Sequence, residues 1–354
     1  MKLGISFVPD AAPGTKAAAD YYADALRLSV IADEAGLDWV KMTEHYLHPY
    51  GGYCPSPLTF LAAVAARTGR IRLMTGCVLP VFHHPVELAS HAAMVDAMSG
   101  GRLDLGVARA YLPYEFDTFG VSLDESRARY DAVVGAMIRL WTEEKVTEDG
   151  PYFSYQDATI LPRPVQSPHP PLWAAAVRAE ESFIRTGELG LGLLCTPMVS
   201  PPEMVAEQIA VYRKAFAAAQ HGPDRRSQAV ASLPVFVSAD DAQAQRTGDE
   251  YLTHYWKVWE DSAECWNGVA SKDYPTYTGM INTLRKFTPS EWRRQGSGFF
   301  GSPERVAEQI RAFHEVTGAD GLIAQVDFGA VSGDVAQRSL RLFIDEVVPR
   351  VRDL

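Results

Sequence analysis

The chain has 354 residues, 47% of them hydrophobic and 22% charged, enough to bury a large core within the size one domain usually holds. Its 33 basic and 44 acidic residues leave a formal charge of −11, which repels phosphate backbones and anionic lipid, so nucleic acid and membrane surfaces are set aside in favour of small ligands. No apolar stretch is long enough to span a bilayer, Met1–Val8 lacks a secretory pattern, and Cys54, Cys77, Cys195 and Cys265 are scattered without a CxxC pair, so free thiols in a reducing cytoplasm are expected.

Apolar segments of strand length recur along the chain at Leu3–Val8, Trp39–Thr43, Ile71–Leu79, Leu103–Ala108, Leu172–Ala176, Leu191–Cys195, Val230–Val237 and Gly321–Gln325. Helical patterns separate most of them. The first, Ala18 to Ala35, stops at Gly36, and another runs from Pro85 to Met98 before Ser99-Gly100-Gly101 turns into the next strand. Ser122 with Glu125 has the spacing of a capping box, and Ser200-Pro201 and Ser302-Pro303 each set a capping hydroxyl before a proline at the first helical position. Eight strands alternating with helices predict a parallel sheet closed as a (β/α)₈ TIM barrel, one domain over 1–354. Two stretches interrupt the rhythm: Pro151–Pro170, read as a small hairpin with an extended arm, and Asp261–Gly298, aromatic and too long for an ordinary barrel loop. Such insertions sit over the active site or at a subunit contact.

Barrel enzymes build their sites at the carboxyl ends of the strands. There the sequence places Thr43-Glu44-His45-Tyr46-Leu47-His48, then Pro80-Val81-Phe82-His83-His84-Pro85, then Arg109-Ala110-Tyr111, then Val177-Arg178. Arginines suit a phosphate, aromatics and backbone suit a ring system, and an imidazole near the reacting atom can exchange protons near neutral pH. A bound anionic, planar ligand such as a flavin mononucleotide has those parts.

The string TEHY at Thr43–Tyr46, SGGRLDLGVAR at Ser99–Arg109, YLPYEFDTFGVSLDESR at Tyr111–Arg127 and FGSPERV at Phe300–Val306 resemble, in order, the bacterial luciferase-like monooxygenase family. The resemblance covers nearly the whole chain and is weakest around Asp261–Gly298. It implies a luciferase-like barrel that takes FMNH₂ from a separate NAD(P)H-dependent flavin reductase, forms a flavin hydroperoxide with O₂ and transfers one oxygen atom to an organic substrate, with the oxygen chemistry residing in the cofactor. It further implies a homodimer. His45 matches the family's catalytic histidine, with Glu44 ordering the strand end; Arg109 matches a phosphate-binding arginine. Thr75-Gly76 matches the edge that cradles the flavin ring, sometimes through a non-prolyl cis peptide. Tyr111, Val177 and Arg178 complete the expected cofactor site, and Tyr46, Phe116 and Trp173 the substrate pocket, which suggests an apolar or aromatic substrate. Three departures set this chain apart from luciferase itself: Ala108 replaces the reactive thiol, Tyr46 replaces the second histidine, and Val177-Arg178-Ala179-Glu180-Glu181 replaces the phosphate-binding hydroxyls. Light emission is therefore not implied, and Arg178 is a candidate second phosphate contact.

Rival readings attach to the same residues. A deazaflavin-dependent oxidoreductase shares the barrel and moves hydride without oxygen, and a non-catalytic flavin-binding subunit would need no histidine at position 45. Glu44, His45, His48, His83 and His84 include ligand types for a metal hydrolase, yet neighbours on a strand point to opposite faces and no HxH pair occurs, so no metal is expected. His48 reads as a loop histidine, and His83 and His84 as groups that cap or bond backbone before a helix.

Overall fold

A computed structural model describes residues 1–222 and 225–354. Eight parallel strands close on themselves in the order β1 (Lys2–Phe7), β2 (Trp39–Met42), β3 (Arg72–Thr75), β4 (Leu103–Val107), β7 (Leu172–Ala176), β8 (Gly192–Cys195), β9 (Ala229–Val237) and β11 (Gly321–Gln325), the last pairing again with β1. A hairpin of β5 (Val146–Asp149) and β6 (Ser154–Ala158) stands outside the barrel, and β10 (Phe299–Gly301) adds to the outer end of β9. The expected (β/α)₈ barrel is thus present, with all eight segments as its staves. They are short and buried on both faces, which is why they read as continuous apolar runs.

Helices α1 (Ala18–Glu34), α2 (Pro57–Ala65), α3 (Pro85–Ser99), α4 (Pro113–Phe119), α5 (Ser126–Thr142), α6 (Glu180–Glu188), α7 (Pro202–Ala218) and α8 (Asp241–Ala263) wrap the first part of the barrel. Three local expectations are corrected. The run Ile71–Leu79 ends as a strand at Thr75, where a cis peptide joins Gly76 to Cys77 and a turn follows at Pro80–Phe82. The Ser122 hydroxyl caps only the single turn Leu123–Glu125, accepting from the Asp124 amide, and α5 begins afterwards without a side-chain cap. The Ser200 hydroxyl caps nothing, because α7 starts one residue later than the proline rule suggested, whereas Ser302 does accept from the Arg305 amide. The second irregular stretch resolves into the end of α8, a turn at Glu264–Trp266 and two short helices, α9 (Met280–Leu284) and α10 (Pro289–Trp292).

Side chains alternate in and out along each stave. The lower lumen is filled by Trp39, Met74, Trp173, Leu194, Val230 and Ile323, with the indoles of Trp39 and Trp173 edge to face at 5.9 Å. Beneath them Asp104 accepts from Trp39 Nε1 (2.9 Å) and from Arg72 Nε (2.7 Å), closing the amino-terminal end. Two residues further up the staves, Ser6, Lys41, Gly76, Ser232 and Gln325 take over, and the lumen opens upward as a cavity.

Candidate active site

The cavity lies at the carboxyl ends of the strands and is enclosed from above by the irregular segment. Trp266 Nε1 donates to the Tyr111 carbonyl (2.9 Å), and Tyr274 Oη donates to the Ala110 carbonyl (2.8 Å), so the segment is pinned directly to the end of β4. The Asp273 carboxylate accepts from the Arg127 amide (3.0 Å) and from Ser126 Oγ (3.2 Å) at the start of α5. Tyr274, Thr276, Tyr277, Thr283 and Leu284 thereby become part of the cavity wall.

One corner is cationic. Arg109, Arg127, Arg178 and Arg185 line it together with Ser182, beside the amino-terminal end of α6, which has no side-chain cap. Two of the four have acidic partners: Arg127 pairs with Glu181 (3.0 Å), which is 69% exposed and so readily exchanged, and Arg185 pairs with Asp131 (3.6 Å), a half-buried residue that also lines the cavity, and with exposed Glu188 (3.9 Å). Arg109 lies 4.7 Å over the Tyr274 ring and donates to the Asp273 carbonyl; among the described residues neither it nor Arg178 has a carboxylate within ion-pair distance. Guanidinium groups without a carboxylate partner, beside a helix start that lacks a side-chain cap, suit a phosphate or comparable dianion.

Along the neighbouring wall runs the Gly76–Cys77 edge. A side chain at Gly76 would place its Cβ 2.3 Å from the Lys41 stem, so only glycine leaves this strip flat. Tyrosines and a tryptophan, Tyr50, Tyr111, Tyr255, Trp259 and Tyr277, face the remaining space. A flat strip, aromatic walls and a cationic corner suit a planar cofactor that carries an anionic tail, the shape and charge of a flavin.

At the end of β2 stand two buried carboxylate–imidazole pairs. Glu115, on α4, is fully buried; its Oε1 is 3.1 Å from His45 Nδ1 and accepts from the Tyr46 amide at 2.9 Å. The same Oε1 already accepts from the Tyr46 amide, and taken as the acceptor toward His45 as well it places the proton on Nδ1 and leaves Nε2 as the nitrogen free to exchange one. The ring is held between Tyr50 and Tyr111, at centroid distances of 5.1 and 5.9 Å, and rests on Gly51, where a Cβ would come within 2.6 Å of the imidazole and where φ is +74°. Glu44 makes the second pair. Its Oε1 meets His83 Nε2 (2.8 Å) and the Tyr46 hydroxyl (2.6 Å), and its Oε2 accepts from the Leu79 amide (3.2 Å), which fastens β2 to the loop after β3. Burial pulls the His83 imidazole toward neutrality, but the hydrogen bond and charge of Glu44, with Glu87 behind, raise its pKa overall.

Of the residues singled out in the sequence, Glu44, His45, Gly76, Arg109, Tyr111, Val177 and Arg178 line the one cavity. Thr75 turns its hydroxyl away, to the Gly106 carbonyl (2.7 Å). None of the three expected substrate side chains lines the cavity: Tyr46 packs on Phe82 and Phe119, Phe116 is buried against Phe82 and Tyr274, and Trp173 belongs to the lower lumen. Sequence reasoning missed Glu115, Arg127, Arg185 and Lys41. Glu115 had a signal, an acid among Leu112, Pro113, Tyr114 and Phe116 in an otherwise apolar run. His84 caps α3 as expected, through the Val86 amide, whereas His83 is the partner of Glu44. Among the described residues no group of three or more His, Cys, Asp or Glu is placed to hold a metal ion, and no helix is long and apolar enough to cross a membrane.

The model of the luciferase-like monooxygenase family matches residues 1–320. The oxygenase component of a flavin-dependent trigonelline monooxygenase from Acinetobacter baylyi is 28% identical over 331 residues, 93% of this chain and 89% of that protein. Among solved structures, the monooxygenase RslO1 from Streptomyces bottropensis is 36% identical with a TM-score of 0.84, over 99% of both chains. The oxygenating constituent of 3,6-diketocamphane monooxygenase from Pseudomonas putida, solved with FMN, shares the fold at 22% identity and a TM-score of 0.81, over 99% of this chain and 98% of that one. An F420-dependent glucose-6-phosphate dehydrogenase from Beutenbergia cavernae is 34% identical over 192 residues, 52% of this chain and 56% of that protein. The chain is an oxidoreductase of the luciferase-like monooxygenase family.

Proposed function

We propose that the chain is the oxygenase of a two-component, cytoplasmic system: it takes FMNH₂ from a separate NAD(P)H-dependent reductase and uses O₂ to insert one oxygen atom into an apolar or aromatic substrate. The observation that carries this reading is the pairing, in one cavity, of Arg109 and Arg178, which have no carboxylate partner among the described residues, with an imidazole whose Nε2 is free. The arginines suit the phosphate, and the tyrosine walls suit a flat apolar substrate. Bound reduced FMN would supply the reaction with oxygen. The protein's share is to seal the ring beneath the segment held by Trp266 and Tyr274, to orient it by its phosphate, and to exchange a proton at His45 Nε2.

A second reading rests on the F420-dependent relative, whose match covers half of the chain: a deazaflavin bound in the same cavity would transfer hydride with no part for oxygen. One experiment separates the two. The protein is titrated anaerobically with FMNH₂ and, in parallel, with reduced F420, and each complex is then mixed with oxygenated buffer while the flavin absorbance is followed. The monooxygenase reading expects tight FMNH₂ binding and an altered oxidation time course. Preference for reduced F420, with oxidation no different from that in free solution, would favour hydride transfer.

A further inference from the structure

Lys41 belongs neither to the cationic corner nor to the two carboxylate–imidazole pairs, yet it lines the same cavity. It projects from β2 into the lumen, one layer above Trp39, and is 5% exposed. Its stem lies along Gly76, and its Nζ is 3.0 Å from where a Gly76 Cβ would stand, so the ammonium borders the flat strip. Among the described residues its ammonium makes no ion pair and no side-chain hydrogen bond, and its one charge neighbour is Cys77. Glu44, the carboxylate lining the same part of the cavity, is engaged by His83, Tyr46 and Leu79. The neighbouring Cys77 thiol is pushed up to about 12 by burial and so stays neutral. In the same layer of the lumen Gln325 turns its buried amide Nε2 toward the cavity beside Tyr255, without a well-formed hydrogen bond. A buried, unpaired amine is costly, and burial already draws the Lys41 pKa down to about 8. A chain that needed only to fill the lumen here would do better with methionine.

We propose that Lys41 is a cofactor-contacting residue whose ammonium meets the acceptor edge of the bound ring, at N1 and the C2 carbonyl, and favours the reduced, anionic form over the oxidised one. The inference rests on the flavin reading above. Its logic is one of matching edges. With the phosphate in the arginine corner, the ring has one apolar edge, the dimethylbenzene side, and one rich in acceptors, the pyrimidine side. Only the second can satisfy donors such as Lys41 and Gln325. Two-electron reduction places negative charge on N1 and the C2 carbonyl, and a cation in a dry site stabilises that charge far more than it stabilises the neutral oxidised ring.

The test compares the intact protein with Lys41→Met, which keeps the stem and removes the charge, and Lys41→Gln, which keeps a donor without charge. Dissociation constants are measured for FMN and, anaerobically, for FMNH₂ at pH 7, together with the reduction potential of the bound flavin. Both variants are expected to weaken FMNH₂ binding at least tenfold relative to FMN, which lowers the two-electron potential by about 30 mV. A ratio unchanged within about twofold in both variants, or an equal loss for both redox states, would overturn the proposal while leaving the flavin reading intact. If the unaltered protein binds neither form, the flavin reading fails and this inference with it.

Discussion

The two ends of the cavity treat charge in opposite ways. In the corner between β4 and α6, the guanidinium groups of Arg109 and Arg178 have no carboxylate, and those of Arg127 and Arg185 lean on carboxylates that water reaches. At the end of β2, Glu44 and Glu115 are each buried, and each is closed against an imidazole. Exposed pairs cost little to exchange for a ligand, whereas buried ones are lost only at several kcal/mol. On the proposed function, the first end would receive the anion and the second would hold its imidazoles in fixed orientation.

That contrast breaks most visibly at His45. His45→Ala should lower turnover by on the order of 10²- to 10⁴-fold, the usual reach of a general acid or base, while the dissociation constant for FMNH₂ stays within about twofold. A variant that turns over at the original rate would move the proton exchange to another group. Glu115→Gln comes next. The amide can present an N–H to Nδ1 and so turn the imidazole to its other tautomer, and kcat should fall by on the order of tenfold with KM for the organic substrate unchanged. A rise in KM alone would make Glu115 part of the substrate wall rather than a positioning residue.

The cationic corner should respond in binding and not in chemistry. Arg109→Ala and Arg127→Ala should each weaken FMNH₂ by about 2 kcal/mol, roughly thirtyfold, with reduced riboflavin, which lacks the phosphate, barely affected. Equal losses for both ligands would take the phosphate out of this corner.

The barrel was legible because its staves carry unbroken apolar runs at regular intervals, and that pattern is local. The cavity floor was less so. Lys41 sits inside one such run, Trp39-Val40-Lys41-Met42, and only alternation counted from the lumen-facing Trp39 reveals that it points inward. Glu115 is 70 residues from His45, so nothing in the spacing of either announces the other. Tyr46, Phe116 and Trp173 were expected at the substrate because of their side-chain type, but Tyr46 packs on Phe82 and Phe119, Phe116 lies on α4 against Phe82 and Tyr274, and Trp173 points into the lower lumen, placements that depend on partners distant in sequence. The irregular stretch gave no periodicity to read, yet it supplies five residues of the wall, held by side-chain bonds to the backbone of β4's end that no sequence pattern encodes.

The smallest effect expected is in stability, and it distinguishes the two buried pairs. The His83 pKa is raised above its ordinary 6.5 in the folded protein, so the native state holds a proton that the unfolded chain releases. The stabilisation is fully present below pH 6.5 and is lost as pH rises through the raised value. Urea midpoints should therefore fall as pH is taken from about 6 upward past neutrality, with the chief slope removed in His83→Gln. Because His83 fastens β2 to the loop after β3 and does not line the cavity, its loss should leave FMNH₂ binding near its original strength. If the slope persists in His83→Gln, the titrating group lies elsewhere. If FMNH₂ binding collapses with it, the Glu44 pair is part of the cofactor site and the division between a receiving end and a holding end is wrong.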